Sequence, residues 1–255
     1  MVKKKMKKSF WQYFVEGFKK LKEHPVIILA VLILFALIVA IQLFSTSLIS
    51  SNTQVQQIMA DPTMLSTMDS ASLMSFMSSL LPATLVLILA GIIIFLISSY
   101  FLAGVTAMAF DITKKKKISL KSMFSYGKKF FFRFLGISIV LGIIDGVLSL
   151  VLLIPSVSSQ EGLTIVLSFC ITLITSLFGL SKSYLIIQNN GVFASIGKSF
   201  SIVRKNYLRF VLLAIMFGAL MALIELIPYA GVLISSVIIV PAEIIAYVLF
   251  ALDHK

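Results

Sequence analysis

The 255-residue chain has few of the residues that usually carry catalysis or metal binding: one cysteine, two histidines and ten acidic residues. Cys170 cannot form an intrachain disulfide, and we expect it to be buried in an apolar helix. His24 and His254 each flank an apolar segment and have no other ligand residues beside them. The sequence also lacks a phosphate-binding loop, a Ser/His/Asp set and a Cys/His cluster. It therefore predicts no enzyme activity, no metal site and no cofactor.

Charged residues are scarce as well, at 13% of the chain, whereas apolar residues reach 59% and the mean hydropathy is +1.07. Soluble domains contain about 25% charged and about 45–50% apolar residues, so the composition predicts an integral membrane protein. The few charges are unbalanced, with 22 basic against 10 acidic residues. In a soluble protein this excess would indicate nucleic-acid binding, but the positions of the basic residues indicate a membrane surface instead.

Six long apolar segments predict an all-α membrane protein that forms one polytopic domain over residues 1–255, after a basic tail at residues 1–8. Each segment approaches or exceeds the ~20 residues with which a helix crosses a bilayer. Pro241 is expected to kink the sixth span. The predicted spans are residues 26–49, 81–110, 135–154, 163–187, 208–227 and 232–252.

An amphipathic helix precedes every second span. In the best-defined copy, Phe193, Phe200 and Tyr207 recur along one face of the helix, and basic residues and serines occupy the rest. Similar apolar stripes over residues 11–21 and 120–134 precede the first and third spans. Helices that are basic on one face and aromatic on the other suit the membrane–water boundary.

The order of these elements repeats along the chain. Shifting the second copy by 73 positions brings Ser122 onto Ser195 and Pro155 onto Pro228, and a Leu-Ile pair precedes both prolines. All copies enter the membrane from the same side. The predicted fold class is therefore six transmembrane helices in three parallel pseudo-repeats, each preceded by a cytoplasmic amphipathic interfacial helix, and not an inverted repeat.

All 22 basic residues fall on one side of the six predicted spans, provided that Lys182 reaches the surface from its position near the end of the fourth. The positive-inside rule then places both termini and the amphipathic helices in the cytoplasm, at a cell membrane. The sequence identifies no protein partner, and nucleic acid is not expected as one. The residues expected to meet anionic lipid headgroups are Lys19, Lys20, Lys128, Lys129, Lys198, Arg204 and Lys205.

Three carboxylates lie within the predicted spans, where an ionised group costs about 2.5–3.5 kcal/mol on insertion scales. Asp145 is the deepest, in the third span, and Glu243 lies near the middle of the sixth. Glu225 is three residues before Pro228 and is expected near the outer face. These three are the candidate functional acids. The favoured role for Asp145 and Glu243 is a structural hydrogen bond, and proton or solute transport is the alternative.

Residues 184–213, YLIIQNNGVFASIGKSFSIVRKNYLRFVLL, carry a family resemblance. The stretch resembles the membrane-domain family found attached to some glycerophosphodiester phosphodiesterases and in related stand-alone proteins. This resemblance implies a six-helix membrane domain. It carries over no catalytic residue, because the family's esterase chemistry belongs to a separate soluble barrel. The matching positions are Ala194, Ser199, Phe200, Val203, Arg204, Asn206 and Tyr207, with a looser match at Asp253 and Lys255.

The sequence favours a non-enzymatic integral membrane protein that has a structural or accessory role in the cell membrane or in lipid homeostasis. The alternative is a transporter or permease subunit that uses Asp145 and Glu243. A cavity that reaches both acids would favour transport, and a dry, tightly packed bundle would favour the structural role. A membrane enzyme acting on lipid is a third class, for which no nucleophile or metal cluster is recognisable.

Overall fold

A computed structural model of the chain describes residues 8–50, 69–150, 161–228 and 230–254. These residues form helices and turns, and no strand occurs among them. The chain divides into two compact units. Unit 1 consists of the residues up to 32 and those from 99 onward, and unit 2 consists of residues 33–98.

The helices are α1 (Phe10–Glu23), α2 (Val26–Ser50), α3 (Ser70–Thr113), α4 (Leu120–Leu150), α5 (Glu161–Ser176), α6 (Ser181–Gln188), α7 (Val192–Lys205), α8 (Tyr207–Glu225), α9 (Ala230–Ile234) and α10 (Val240–Asp253). A π-helical segment, Ser235–Ile239, joins α9 to α10.

Among the described residues, six segments are long and apolar enough to cross a membrane, the number predicted, as in a multi-pass membrane protein. They run over Val26–Leu48, Leu80–Thr113, Leu120–Leu150, Val166–Gln188, Tyr207–Glu225 and Ala230–Asp253. Two features of these spans differ substantially from the prediction. Helix α4 continues through the expected junction at residues 134–135, and the fourth span is broken between α5 and α6. The predicted end of the third span, residues 151–154, lies outside the described residues.

Helix α1 packs against α10, and the buried residues of α1 are Tyr13, Gly17 and Leu21. Ser9 and Gln12 form a capping box at its start. Gly17 lies so close to α10 that a Cβ atom there would be 2.6 Å from the Ala242 carbonyl oxygen. The Tyr13 hydroxyl donates to Asp253 at 3.1 Å. Burial and the nearby Asp253 carboxylate raise the pKa of Tyr13, so this phenol remains a neutral donor.

The first half of α4 packs in a similar way on the end of α3. A Cβ atom on Gly104 of α3 would meet the Met123 carbonyl oxygen at 2.6 Å, and one on Gly127 of α4 would meet the Tyr100 ring at 2.8 Å. The Tyr126 hydroxyl donates to Asp111 near the end of α3. Small residues therefore let two helices approach closely, as is usual within membranes.

Helix α7 packs on the fourth span through its serines. Ser195 and Ser199 are fully buried, whereas Phe193 is 78% exposed. Ile202 and Val203 complete the buried face. The helix thus turns its small residues inward and Phe193 away from the protein, while Phe200 stacks on Phe178 of the fourth span.

Unit 2 consists of the second half of α2 and the first part of α3 up to residue 98. The two helices line an apolar groove of about 440 Å³ between Leu37, Phe44, Leu89 and Ile93. Hydroxyl groups bond back to their own helices in this unit, for example Ser45 to the Ile41 carbonyl oxygen at 2.8 Å. This back-bonding satisfies polar side chains on a surface that is otherwise apolar.

One packing prediction is wrong. Cys170, which we expected to be buried, is exposed on the apolar surface of α5. Small residues are open in α4 as well: no described atom lies within 4 Å of a Cβ built on Gly142 or Gly146. A membrane helix can expose apolar and small residues because lipid replaces the protein as a neighbour.

We predict that Gly17→Ala weakens the packing of α1 on α10. The new methyl group would clash with the Ala242 carbonyl oxygen, and overpacking of this kind costs about 1–3 kcal/mol. Gly197→Ala on α7 is the matched control, because nothing lies within 4 Å of its Cβ position and alanine is the better helix former. Thermal unfolding in detergent should show a lower Tm for the first variant only. Equal Tm values for both variants and the wild type would contradict this packing.

Candidate functional site

Unit 1 contains a cavity of about 280 Å³, which we call the polar cavity. Helices α3, α4 and α10 form part of its wall, and the break between α5 and α6 forms the remainder. Apolar residues such as Phe134, Phe178 and Ile244 supply much of the lining. Its polar lining residues are Thr106, Asp145, Thr175, Lys182, Ser183, Glu243 and Tyr247. The cavity therefore brings two of the predicted acids, Asp145 and Glu243, together with a lysine.

The fourth span is broken at residues 177–180, where the chain forms tight turns in place of an α-helix. Three successive amides, those of Leu177, Phe178 and Gly179, donate to carbonyl oxygens three residues earlier, at 3.0–3.1 Å. A Cβ atom on Gly179 would be 2.8 Å from the Phe210 ring, so a larger residue would not fit beside α8. The break lies on the cavity wall, because Thr175, Phe178 and Gly179 all line it.

Ser199 of α7 stabilises this break. Its hydroxyl donates to the Leu177 carbonyl oxygen at 2.9 Å and accepts from the Leu180 amide at 3.1 Å. One buried side chain thus satisfies two backbone groups that an unbroken helix would pair internally. Unpaired backbone groups are costly in an apolar environment.

The sixth span is irregular at the same cavity. The π-helical turn Ser235–Ile239 ends at Val240, whose amide donates to the Ser235 carbonyl oxygen, and Pro241 follows directly. Proline has no amide hydrogen and clashes with the preceding turn, so a wider turn upstream accommodates it. The structure shows a π-helical turn before Pro241, and the kink expected at this residue stays a prediction. Val240 and Glu243, on either side of Pro241, line the cavity.

Lys182 is placed differently from the prediction. Its place near the end of the fourth span predicts that it reaches the membrane surface, but it lies in the first turn of α6 and lines the polar cavity. Its Nζ atom sits 5.5 Å from the centre of the Phe134 ring, a cation–π arrangement. Among the described ion pairs, none joins Lys182 to a carboxylate within 4 Å. Asp145 is near enough for its charge to act on the lysine.

The two acids differ in their surroundings. Glu243 is half-buried, and its carboxyl group interacts with the Tyr247 hydroxyl one turn further along α10. Asp145 is exposed on α4 and marks the side on which the cavity reaches the surface. At a rise of 1.5 Å per residue, Glu243 lies about 15 Å from the Asp253 end of α10. This distance puts Glu243 well inside the helix that forms the sixth candidate span.

Glu225, the third candidate acid, does not belong to this site. It is exposed at the end of α8 and accepts a hydrogen bond from the Ser235 hydroxyl at 3.0 Å. The bond ties α8 to the π-helical turn. Glu225 has a structural partner and does not line the polar cavity.

The basic residues expected at the lipid surface lie on α1, α4 and α7 and are exposed or half-buried. None of Lys19, Lys20, Lys128, Lys129, Lys198, Arg204 and Lys205 lines the polar cavity. Another basic residue, Arg133, caps the end of α6: its guanidinium donates to the Asn189 side chain at 2.8 Å and to the Asn189 carbonyl oxygen at 3.2 Å. The surface basic residues and the capping Arg133 are therefore distinct from Lys182, the basic residue that lines the polar cavity.

No group of three His, Cys, Asp or Glu side chains in the described ranges could hold a metal ion. The polar groups of the cavity instead suit a small solute with hydrogen-bonding or charged atoms. At about 280 Å³, the cavity lies near the lower end of small-molecule sites, which span about 300–1,000 Å³. No protein-family model, curated protein or solved structure matches the chain.

We predict that Ser199→Ala destabilises the protein by about 1–3 kcal/mol, the usual cost of leaving buried hydrogen-bonding groups without a partner. Ser201→Ala, two residues away on the exposed face of α7, is the matched control and should stay within about 0.5 kcal/mol of the wild type. Thermal or chemical unfolding in detergent measures both variants. If Ser199→Ala is as stable as the control, the hydroxyl does not hold the break.

Proposed function

We propose that the chain is a membrane transport protein that binds a small polar solute in the polar cavity and passes it across the bilayer. One observation carries this proposal: Asp145, Lys182 and Glu243 line a single cavity inside the bundle. Polar and charged groups at such depth are expensive and usually mark a pathway or a binding site. The proposed role is solute binding and passage, so it involves no chemical reaction.

The irregular helices support the same role. In transporters, solute and ion sites form where membrane helices are interrupted, because the interruption exposes backbone dipoles to the cavity. Here the fourth span is broken between α5 and α6, and the sixth contains a π-helical turn before Pro241. Single π-helical turns are frequent at functional sites. The break lines the polar cavity, and the π-helical turn ends at Val240, which lines it too. Of the two irregularities, only the one beside Pro241 falls where the sequence predicts a departure from regular helix.

A structural or accessory role, which the sequence favours, is the competing proposal. It requires that the buried charges satisfy one another and leave no room for a solute. The packing gives this role less support, since Lys182 has no carboxylate within salt-bridge distance among the described residues and the cavity is open to Asp145. Transport was the alternative in the sequence analysis, and the cavity makes it the better supported of the two.

The architecture proposed with this function is three parallel repeats. Three similar contacts support it: Gly17 of α1 against Ala242, Gly127 of α4 against Tyr100, and Ser199 of α7 against Leu177. In each, a small residue of a helix that leads into a span meets another span, namely the sixth for α1, the second for α4 and the fourth for α7. The contacted residues Ala242, Tyr100 and Leu177 occupy equivalent positions in their spans. Each lies eleven residues before a residue at or near the end of its span, namely Asp253, Asp111 and Gln188.

The proposed membrane setting follows the sequence. The exposed aromatic residues of α1 and α7, such as Trp11 and Phe193, lie at the membrane–water boundary, and the basic residues beside them meet anionic headgroups on the cytoplasmic side. Both termini are then cytoplasmic. Kinship with the membrane-domain family of glycerophosphodiester phosphodiesterases is part of this proposal and rests on the residues at 194–207.

We predict that the polar cavity opens to both sides of the membrane in turn. In a Cys170→Ala background, a cysteine at Thr175, which lines the cavity, should react with an impermeant thiol reagent added to either face of sealed vesicles. Ile174→Cys is the matched control, because this neighbouring apolar residue is exposed on α5, outside the cavity lining, and should not react in lipid. Ser122→Cys should react from the cytoplasmic face only.

The outcomes at position 175 separate the proposals. Reaction from both faces supports passage of a solute. Reaction from one face only would leave a binding site without transport, and no reaction from either face would favour the structural role. Reaction of Ser122→Cys from the outer face would overturn the orientation.

A further inference from the structure

The charges of the polar cavity lie on different walls. Lys182 projects from the first turn of α6, whereas Asp145 belongs to α4 and Glu243 to α10. If these groups were structural partners, Lys182 would be expected within salt-bridge distance of one acid. No such pair occurs among the described residues. The separation leaves the space between the walls for a molecule with charges of its own.

The wall formed by α6 is positive. The Lys182 ammonium group rests over the Phe134 ring, which leaves its remaining donors free to face the cavity. It stands in the first turn of the helix, where the backbone dipoles add partial positive charge. Ser183, the next residue, also lines the cavity. This wall suits an anionic group such as a carboxylate or a phosphate.

The walls formed by α4 and α10 are negative. Glu243 and its neighbour Tyr247 offer oxygen atoms from α10, and Asp145 offers a carboxylate from α4. Oxygen acceptors of this kind bind an ammonium group by charge-assisted hydrogen bonds. An aromatic ring beside a cation adds a further attraction, and Tyr247 and Phe178 are both in the lining.

A solute with one type of charge would match only part of this lining. An anion would bind Lys182 but face two carboxylates, and a cation would bind the acids but face the lysine. A zwitterion offers each wall a group of opposite charge: its anionic group pairs with Lys182 and its ammonium group with Glu243, so neither of these half-buried charges is left unpaired. The third charge, Asp145, is exposed and does not need a buried partner. The apolar lining by Leu102, Phe134 and Ile244 leaves room for a small apolar substituent.

We infer that the ligand is a small zwitterion, with an ammonium group and a carboxylate or phosphate group a few atoms apart. This inference rests on the proposed function, because it names the class of solute for the same cavity. The anionic group binds Lys182, and the ammonium group binds Glu243 and Asp145. The volume of about 280 Å³ limits the solute to the size of an amino acid or of phosphoethanolamine.

The test compares ligands that differ in one charge. Leucine, leucinamide and 4-methylpentanoate share an apolar group. Leucine carries both charges, leucinamide only the positive charge and 4-methylpentanoate only the negative charge. Binding to the full chain in detergent is followed by thermal shift and equilibrium dialysis, with the other neutral amino acids and phosphoethanolamine as a panel. We expect at least one zwitterion to bind at least tenfold more tightly than its two singly charged analogues. Because the amino acids carry a carboxylate and phosphoethanolamine carries a phosphate, the panel shows which anionic group the cavity binds.

Two variants assign the charges to their walls. Lys182→Met should remove the preference for the anionic group, so that the zwitterion binds no better than its amide. Glu243→Gln should remove the preference for the ammonium group, so that the singly negative analogue binds as well as the zwitterion. Lys128→Met and Glu225→Gln make the same changes outside the cavity and should keep the full discrimination. The Tm of each variant without ligand identifies any that fail to fold.

A singly charged analogue that binds as tightly as its zwitterion would overturn this inference and leave the proposed function intact. Failure of the whole panel to bind would overturn it too. The cavity-cysteine labelling then decides independently whether the proposed function stands. Unchanged discrimination in a folded Lys182→Met variant would show that the anionic group binds elsewhere.

Discussion

The fourth span can be broken only if the protein satisfies the backbone groups that the break releases. Amides and carbonyl groups inside a membrane must find partners within the protein, because the bilayer core supplies no water. Between Ser176 and Ser181 the regular helical ladder stops. Short-range turns satisfy part of the backbone, and Ser199 satisfies two further groups, at Leu177 and Leu180. Helix α7, which brings Ser199, is therefore part of the bundle and supports the site as well as leading into the next span.

The break has chemical consequences because it fixes where the charges lie. A continuous fourth span would carry Lys182 as one more residue near its end. The break instead places Lys182 in the first turn of a new helix, beside the cavity that Asp145 and Glu243 also line. The π-helical turn before Pro241 accompanies Glu243 in the sixth span. Two departures from regular helix thus border one site, and the proposed transport role depends on both.

Much of the fold could be predicted from the sequence, because hydropathy over about 20 residues reports a spanning helix directly. The depth of Glu243 and the candidate status of Asp145 followed from the same counting. The break at residues 177–180 could not be predicted, since its four residues, three of them apolar, leave the hydropathy of the span almost unchanged. Gly179 and the serines around it are the signal that could have indicated it.

The other misplaced features have a common physical reason. In water, an apolar stripe on a helix faces the protein, but in a membrane lipid can cover it and small residues are free to make the protein contacts. Ser195 and Ser199 of α7 are accordingly buried, whereas Phe193 is exposed. Cys170 is exposed in an apolar helix for the same reason. Periodicity therefore located these helices but gave no sign that the serines of α7 pack on the protein.

The central claim is that Lys182 and the two acids interact with a solute and not principally with one another. A double-mutant cycle on unfolding stability tests this directly, with Lys182→Met combined in turn with Asp145→Asn and Glu243→Gln, all without ligand. Groups that do not depend on each other should give coupling energies within about 0.5 kcal/mol of zero. A coupling of about 1.5 kcal/mol or more in either cycle would identify a structural ion pair and contradict the claim.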